Sequence, residues 1–259
     1  MLAALRQSDT IKVLARDSTT AEAPFLCPQC RKELILRKGR IKVHHFAHKP
    51  PVTCSFGAGE TEQHLRAKLG ILDALRGQSN IAELEVEKDF GTSVADVYAR
   101  ISGVAVAIEL QRSALSVNDI TARTRNYHRL GIAVIWLGLP ASLPVEAKYS
   151  PKAWEKWCHA AYFGRVYFLS HGQVIQPLHF DSHHIHVAAT SWYEDGSEQS
   201  AGGYDKRSKR WRTPNPGVPM LLSQHFVSRQ RPAWSGGTVS IPQCTLYVDQ
   251  QAKWWSSEA

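Results

Sequence analysis

Three of the chain's five cysteines fall between positions 27 and 54, and this clustering constrains the fold more than any other feature. Cys27-Pro-Gln-Cys30 is a pair with a two-residue gap. His44-His45-Phe46-Ala47-His48 follows, and Cys54 ends the cluster. Thiolates and imidazoles at such spacing close a tetrahedron around zinc. The other reading is a redox pair. It calls for a neighbouring thioredoxin-like strand–helix–strand unit, and none is visible. Five donors compete for four places: Cys27 and Cys30 are the firm ligands, and two of His45, His48 and Cys54 complete the set. His44 faces solvent or phosphate. A closed set of four marks a structural zinc, since a catalytic zinc keeps one position open. Zinc would also stabilise a segment too short to build a core of its own. Cys158 and Cys244 stand alone and read as ordinary thiols.

The hydrophobic fraction of 43% is that of a globular chain, which excludes general disorder. No apolar run approaches the roughly 20 residues of a spanning helix, so no membrane partner is expected. The stretch from Met1 to Ser18 mixes Arg6, Asp9, Lys12, Arg16 and Asp17 among its apolar residues, unlike a secretion signal. The expected location is the cytoplasm. A net charge of +8 suits a phosphate backbone, because cations on such a surface release counterions from nucleic acid.

Three regions follow from periodicity: residues 1–58 around the cysteine cluster, a core at 59–140, and an extension at 141–259. Leu65, Leu69 and Leu72, widened by Ala67, Ile71 and Leu75, form the apolar stripe of a helix from Glu60 to about Gly77. Strands are expected at Glu83–Phe90, Val94–Ile101 and Val104–Leu110, a helix at Ser116–Leu130, and a buried strand at Ile132–Leu139. A buried strand after a crossover helix predicts an α/β fold with a mixed sheet and helices on its faces. The extension begins with a helix at Pro151–Ala160 and strands at Arg165–Leu169 and Gln173–Phe180. Beyond about Ala189, repeated glycine and proline predict irregular structure.

Acidic residues inside the core need a reason to be there. Asp96 lies in the second strand; Glu109 and Gln111 lie two apart at the end of the third and share a face. If these strands are neighbours, Asp96 and Glu109 converge on one cation, and two carboxylates plus water suit Mg²⁺. Alternatively Glu109 pairs with Arg100, Arg112 or Arg123. Glu60, His64 and Lys68 are spaced i, i+4, i+8, either a solvated helix face or a site in which Glu60 holds water while His64 and Lys68 meet phosphate. Arg123 and Tyr127 sit one turn apart on the later helix, which is placed to track a DNA backbone. In the extension, Lys206, Arg207, Lys209, Arg210 and Arg212 surround Trp211, so cations can meet phosphate while the indole stacks on a base; a solvated loop is the other reading.

These motifs occur in a set order: Cys27-Pro-Gln-Cys30, His45-Phe46-Ala47-His48, Glu60-Thr61-x-x-His64-x-x-x-Lys68, Asp96-Val97, Ile108-Glu109-Leu110-Gln111-x-Ser113, and Arg123-x-x-x-Tyr127 before Ile135-Trp136. Together they resemble the competence protein CoiA-like family over about residues 20–140. The resemblance implies a zinc-finger segment joined to a PD-(D/E)xK nuclease core of the restriction-endonuclease type. Asp96 and Glu109 would be the metal carboxylates, Glu60 a helix-borne acid, and Arg123 and Tyr127 the (Q/R)xxxY element. Gln111 stands where the motif has lysine, and Lys68 could migrate into that role. Implied with it are a structural zinc, a catalytic Mg²⁺ or Mn²⁺, DNA as substrate, and a recombination or DNA-uptake protein as partner. A non-catalytic zinc-containing DNA-binding module is the alternative, kept open by Gln111.

Overall fold

The computed structural model describes residues 1–54, 56–57, 59–112, 115–140, 143–237 and 239–251. Ser113 of the motif lies outside the described residues.

The N-terminal region is a small antiparallel sheet. Its strands are β1 (Ala3–Arg6), β2 (Lys12–Leu14), β3 (Phe25–Leu26), β4 (Glu33–Arg37) and β5 (His45–His48), in the order β2-β1-β3-β4-β5. Its core is slight: Met1, Ala4, Ala15, Phe25, Cys27, Leu34 and Phe46, with the Phe25 and Phe46 rings 4.9 Å apart. So few apolar side chains cannot offset the ordering of some fifty residues by burial alone.

The rest builds on one large mixed sheet. Helix α1 (Glu62–Leu75) leads into the meander β6 (Ile81–Asp89), β7 (Val94–Ile101) and β8 (Val104–Gln111). Helix α2 (Val117–Arg129) crosses over to β9 (Ala133–Gly138), parallel to β8, and α3 (Ala153–Ala161) crosses to β10 (Val166–His171), parallel to β9. The expected elements up to residue 171 are all present within two residues, and the sheet is mixed as its pattern requires. Thr61 caps α1 by accepting from the His64 N–H at 3.3 Å, and Ser116 caps α2 by accepting from the Asp119 N–H at 3.0 Å. Every residue of β9 is buried, as a central strand covered on both faces demands. At its end Gly138 lies so close to Phe168 that an added Cβ would come within 2.4 Å of the ring. No helix among the described residues is long and apolar enough to cross a membrane.

The expected strand at Gln173–Phe180 is present and runs on to Val187, but the region beyond Ala189 departs from expectation. Past residue 171 the chain forms β11 (Val174–Val187), β12 (Thr190–Glu194), β13 (Ser197–Ala201), β14 (Tyr204–Pro216), β15 (Met220–Leu221), β16 (Phe226–Arg231), β17 (Trp234–Gly236), β18 (Val239–Ile241) and β19 (Cys244–Asp249). Of the glycines and prolines read as irregular, Pro214 and Pro216 lie within β14 and Gly236 within β17, while Gly196 and Gly202 make turns between strands with φ of 78° and 91°. The main path runs β14-β11-β10-β9-β8-β7-β6, so the sheet continues beyond residue 140. β19 lies parallel to β9, Leu246 opposite Val134, and carries β16 on its far edge. Asp249 at its end is buried, accepting from Tyr167 Oη at 2.6 Å and pairing with Arg165 at 3.1 Å.

Candidate active site and metal centre

The turn after β3 carries Cys27 and Cys30, β5 ends in His48, and Cys54 follows. The four donor atoms lie within 4.8 Å of one another. Zinc bonds of about 2.3 Å to sulfur and 2.0–2.1 Å to nitrogen imply donor separations of roughly 3.5–3.8 Å at tetrahedral angles. Cys30 Sγ and His48 Nε2 are already 3.3 Å apart, so this donor set fits zinc. Burial raises the Cys27 thiol above its ordinary value; burial acts the same way on Cys30, but the Lys32 N–H and Cys27 outweigh it and hold Cys30 low. Burial also lowers His48, which favours the neutral, ligating imidazole. His45 does not join the cluster. Three residues from His48 along one strand, it points to the opposite face, and its Nδ1 lies 2.8 Å from the Val43 carbonyl.

Beside this module opens a cleft of about 460 Å³, lined among others by Gln29, Phe56, His64, Lys68, Asp96 and Arg123. One donor atom each from Glu60, His64 and Asp96 lies within 4.8 Å of the others. His64 Nε2 is 3.1 Å from Asp96 Oδ2, which also accepts from the Leu110 N–H at 2.9 Å. Lys68 is only 2% exposed, and its Nζ pairs with Asp96 at 3.0 Å, with Glu87 at 3.2 Å, and with Glu60. Burial opposes the Asp96 charge, yet Lys68 and His64 together hold its carboxyl well below the usual range. Lys68 balances burial against the Asp96, Glu87 and Glu60 charges and stays firmly protonated. Glu60 Oε2 is buried and pairs with the Met1 amine at 2.9 Å. Two carboxylates and an imidazole so close together suit a divalent cation such as Mn²⁺ or Mg²⁺. Glu60, expected on the helix, precedes the Thr61 cap and is reached by Lys68 folding back toward the helix start.

Glu109 does not share this cluster with Asp96. The β7–β8 register, Val97 opposite Ile108, sets the two carboxylates in one cross-strand row, as the sequence anticipated. The fully buried Glu109 carboxylate is instead held by Arg123 Nη2 at 2.5 Å and by the Tyr127 hydroxyl. Pairing with Arg123 was one of the alternatives, but at a buried position rather than on the surface. Tyr127, expected against DNA, is wholly buried and serves Glu109; Arg123, a third exposed, stays on the cleft wall and donates to the Val94 carbonyl at 3.1 Å. Gln111 is 9% exposed and opposite Gly138, two register positions beyond Trp136 and outside the cleft lining, so Lys68 supplies the cation of the cleft floor.

Burial and the nearby Asp96 charge push the Glu109 carboxyl up to about 7, against the pull of Arg123. This value lies above the ordinary 4.5, so the stability linked to this proton is complete below about pH 4.5 and lost as pH rises through about 7. Arg123→Met should therefore destabilise the protein more at pH 8 than at pH 6. At pH 8 it strands a buried carboxylate, at a cost of about 3 kcal/mol. Urea unfolding measures this. An equal cost at both pH values, or one that Glu109→Gln does not relieve, would remove Glu109 as the cause.

Of the cleft lining, Glu87, Gln29 and Phe56 were not given a role by the sequence. Glu87 lies in the segment read only as a strand, Glu83–Phe90. It is buried, accepting from the Leu2 and Ala3 N–H groups at 2.8 Å and 3.1 Å, because the backbone there turns to a φ of 52°. Gln29 and Phe56 are brought to the cleft by the packing of the N-terminal module, which leaves no local signal.

The description "Competence protein CoiA, N-terminal domain" matches residues 9–57, and "Competence protein CoiA, nuclease-like domain" matches residues 60–162. Competence protein CoiA of Bacillus subtilis (strain 168) is 31% identical over 114 residues, which cover 44% of this chain and 31% of that protein. The match therefore spans less than a third of the relative's length. No solved structure matches the chain.

Proposed function

Since the chain belongs to the CoiA family, with its N-terminal and nuclease-like domains in tandem, we propose that it is a metal-dependent nuclease that hydrolyses DNA phosphodiesters in competence-related DNA processing. The observation that carries this reading is the convergence of Glu60, His64, Asp96 and Lys68 on one open cleft. Glu60, His64 and Asp96 would hold Mg²⁺ or Mn²⁺, which supplies a lowered water pKa and charge stabilisation at phosphate. Asp96 keeps its negative charge through neutral pH, and its contact with Lys68 fixes the ammonium at the cleft floor. Lys68 thereby offers a phosphate oxygen the charge that Gln111 lacks. Arg123 presents a second cation from the wall. Cys27, Cys30, His48 and Cys54 would hold a structural zinc whose module forms the opposite wall through Gln29 and Phe56.

The second reading is a DNA-binding module without catalysis, favoured by one observation: Glu109, a motif carboxylate, is fully engaged by Arg123 and Tyr127. Incubation of labelled single- and double-stranded DNA with the protein and Mg²⁺ or Mn²⁺ distinguishes the two. The expected result is cleavage that stops when the divalent cation is omitted. Binding without cleavage under every condition would defeat the nuclease reading and establish the module.

A further inference from the structure

Beyond Leu178, β11 leaves the sheet. Its pairing with β10 begins at Val166 opposite Leu178, yet it continues with β14 alone from Asp181 opposite Thr213 to Val187 opposite Tyr204. Among the described residues this is a two-stranded ribbon about 20 Å long at ~3.3 Å per residue, prolonged at its tip by the β12–β13 hairpin. Lys206, Arg207, Lys209 and Arg210 are all exposed, and none forms an ion pair with a carboxylate among the described residues. The acid in their midst, Asp205, is taken by His186 at 2.9 Å.

The ribbon is shaped around this charge. Arg207 lies opposite His184 and Arg212 opposite Ser182, so Ser208–Trp211 face His183 alone. Ser208 Oγ orders this bulge by accepting from the Trp211 N–H at 2.9 Å, and Arg212 Nη1 donates to the Ser208 carbonyl at 3.0 Å. A bulge re-aims side chains, and here it turns Lys209 and Arg210 outward. Trp211 was expected to stack on a base. Its ring instead lies under Lys148 Nζ at 4.8 Å and Arg210 Cζ at 4.5 Å, so it positions cations. Lys206 and Arg207, being adjacent on a strand, point to opposite faces of the ribbon.

We propose that this ribbon is a second nucleic-acid contact, remote from the cleft, that grips duplex DNA by its phosphates without reading sequence. The proposal rests on the reading that the chain acts on DNA. A major groove admits a two-stranded ribbon, and cations on both faces meet the phosphates on either side. Single-strand binding relies on open aromatic faces, which the covered Trp211 does not offer. The exposed Trp192 and Tyr193 at the tip are flanked by Glu194, Asp195 and Glu198, which repel phosphate. β14 stands five strand positions from β7. At ~4.8 Å each, that sets the root of the ribbon about 24 Å from β7 across the sheet, a span of at least roughly seven base pairs at 3.4 Å of rise.

The test is fluorescence anisotropy on duplexes of graded length across a salt series, with no divalent metal added. Affinity should rise about tenfold once the duplex exceeds roughly ten base pairs, as a second linked site adds to the first. Changing Lys206, Arg207, Lys209 and Arg210 to glutamine should abolish that rise. It should also cut the log–log salt slope by about 3–4, at ~0.9 for each phosphate that the protein no longer neutralises, with an unchanged melting temperature. Lys206→Arg, Arg207→Lys and Arg210→Lys together should preserve both. An unchanged slope in the neutral variant overturns the proposal and leaves the ribbon to an acidic protein surface. Equal slopes on single strands of matching phosphate number overturn the duplex assignment. A protein that never cuts but shows the ribbon-dependent slope keeps this inference and loses the nuclease reading; one that cuts with an unaltered slope does the reverse.

Discussion

Asp96→Asn should lower the single-turnover rate of DNA cleavage by about 10³-fold, the scale of losing one preorganised charge from a phosphoryl-transfer site. Asparagine keeps the shape and still accepts from the Leu110 N–H, but it no longer counters Lys68 or offers a cation a charged ligand. DNA binding should hold or strengthen, because negative charge near phosphate is removed. Lys68→Met should cost far more activity than Gln111→Ala, since Lys68 touches the acids of the cleft and Gln111 lies beyond its lining. Lys68→Met also leaves three carboxylates without their cation, so melting must be compared alongside rate, and added Mn²⁺ should restore part of the lost stability. Full activity of the Asp96 variant would locate the chemistry elsewhere; equal costs at Lys68 and Gln111 would deny Lys68 its place in it.

The largest effect on folding is expected from removing zinc. Purified protein should hold about one equivalent, and Cys27→Ser or Cys30→Ser should release it. The module spanning β1 to β5 has only a handful of buried side chains, whereas a structural zinc contributes on the order of 10 kcal/mol. Its strands should therefore lose hydrogen-exchange protection and become protease-sensitive while the large sheet survives. His45→Ala should leave zinc bound, and His48→Ala should not. Zinc-free wild-type protein with intact protection at Phe25–Leu26 and Leu34 would sink this expectation. The cleft wall formed by Gln29 and Phe56 belongs to the same module, so zinc loss should also weaken cleavage.

Periodic segments were readable without the structure because a single stripe or alternation controls them. The α1 stripe at Leu65 and Leu72 and the unbroken apolar run of β9 are of this kind. The fate of Glu109 was not readable. Its register opposite Asp96 follows from adjacency of the strands, but whether it faces a cation or a guanidinium depends on how α2 lies over β8, a tertiary choice with no local signature. His45 and His48 show the converse. Once that segment is known to be a strand, their odd spacing separates them, yet its four residues are too short to announce a strand in a run of histidines. Some strands beyond Ala189 were hidden because their stabilising partners are remote, as with β19 against β9. Exposed ribbon residues carry no alternation of polarity at all.

The placement of β19 sets an order of events for a growing chain. β9 is made early, but β19, one of its neighbours, arrives only after the ribbon and two further hairpins have emerged. Until then the Val134 edge, Tyr167 and Arg165 lack Leu246 and Asp249. Such a sheet completes its cooperative core only once β19 has emerged, because the pairing that closes it joins residues far apart in sequence. The cleft residues, all at or before Arg123, are thus supported by a scaffold that includes a strand as late as Cys244–Asp249. Before β19 emerges, the growing chain should expose the unpaired Val134 end of β9 to chaperones, and its nuclease-like core should gain protease resistance in one late step.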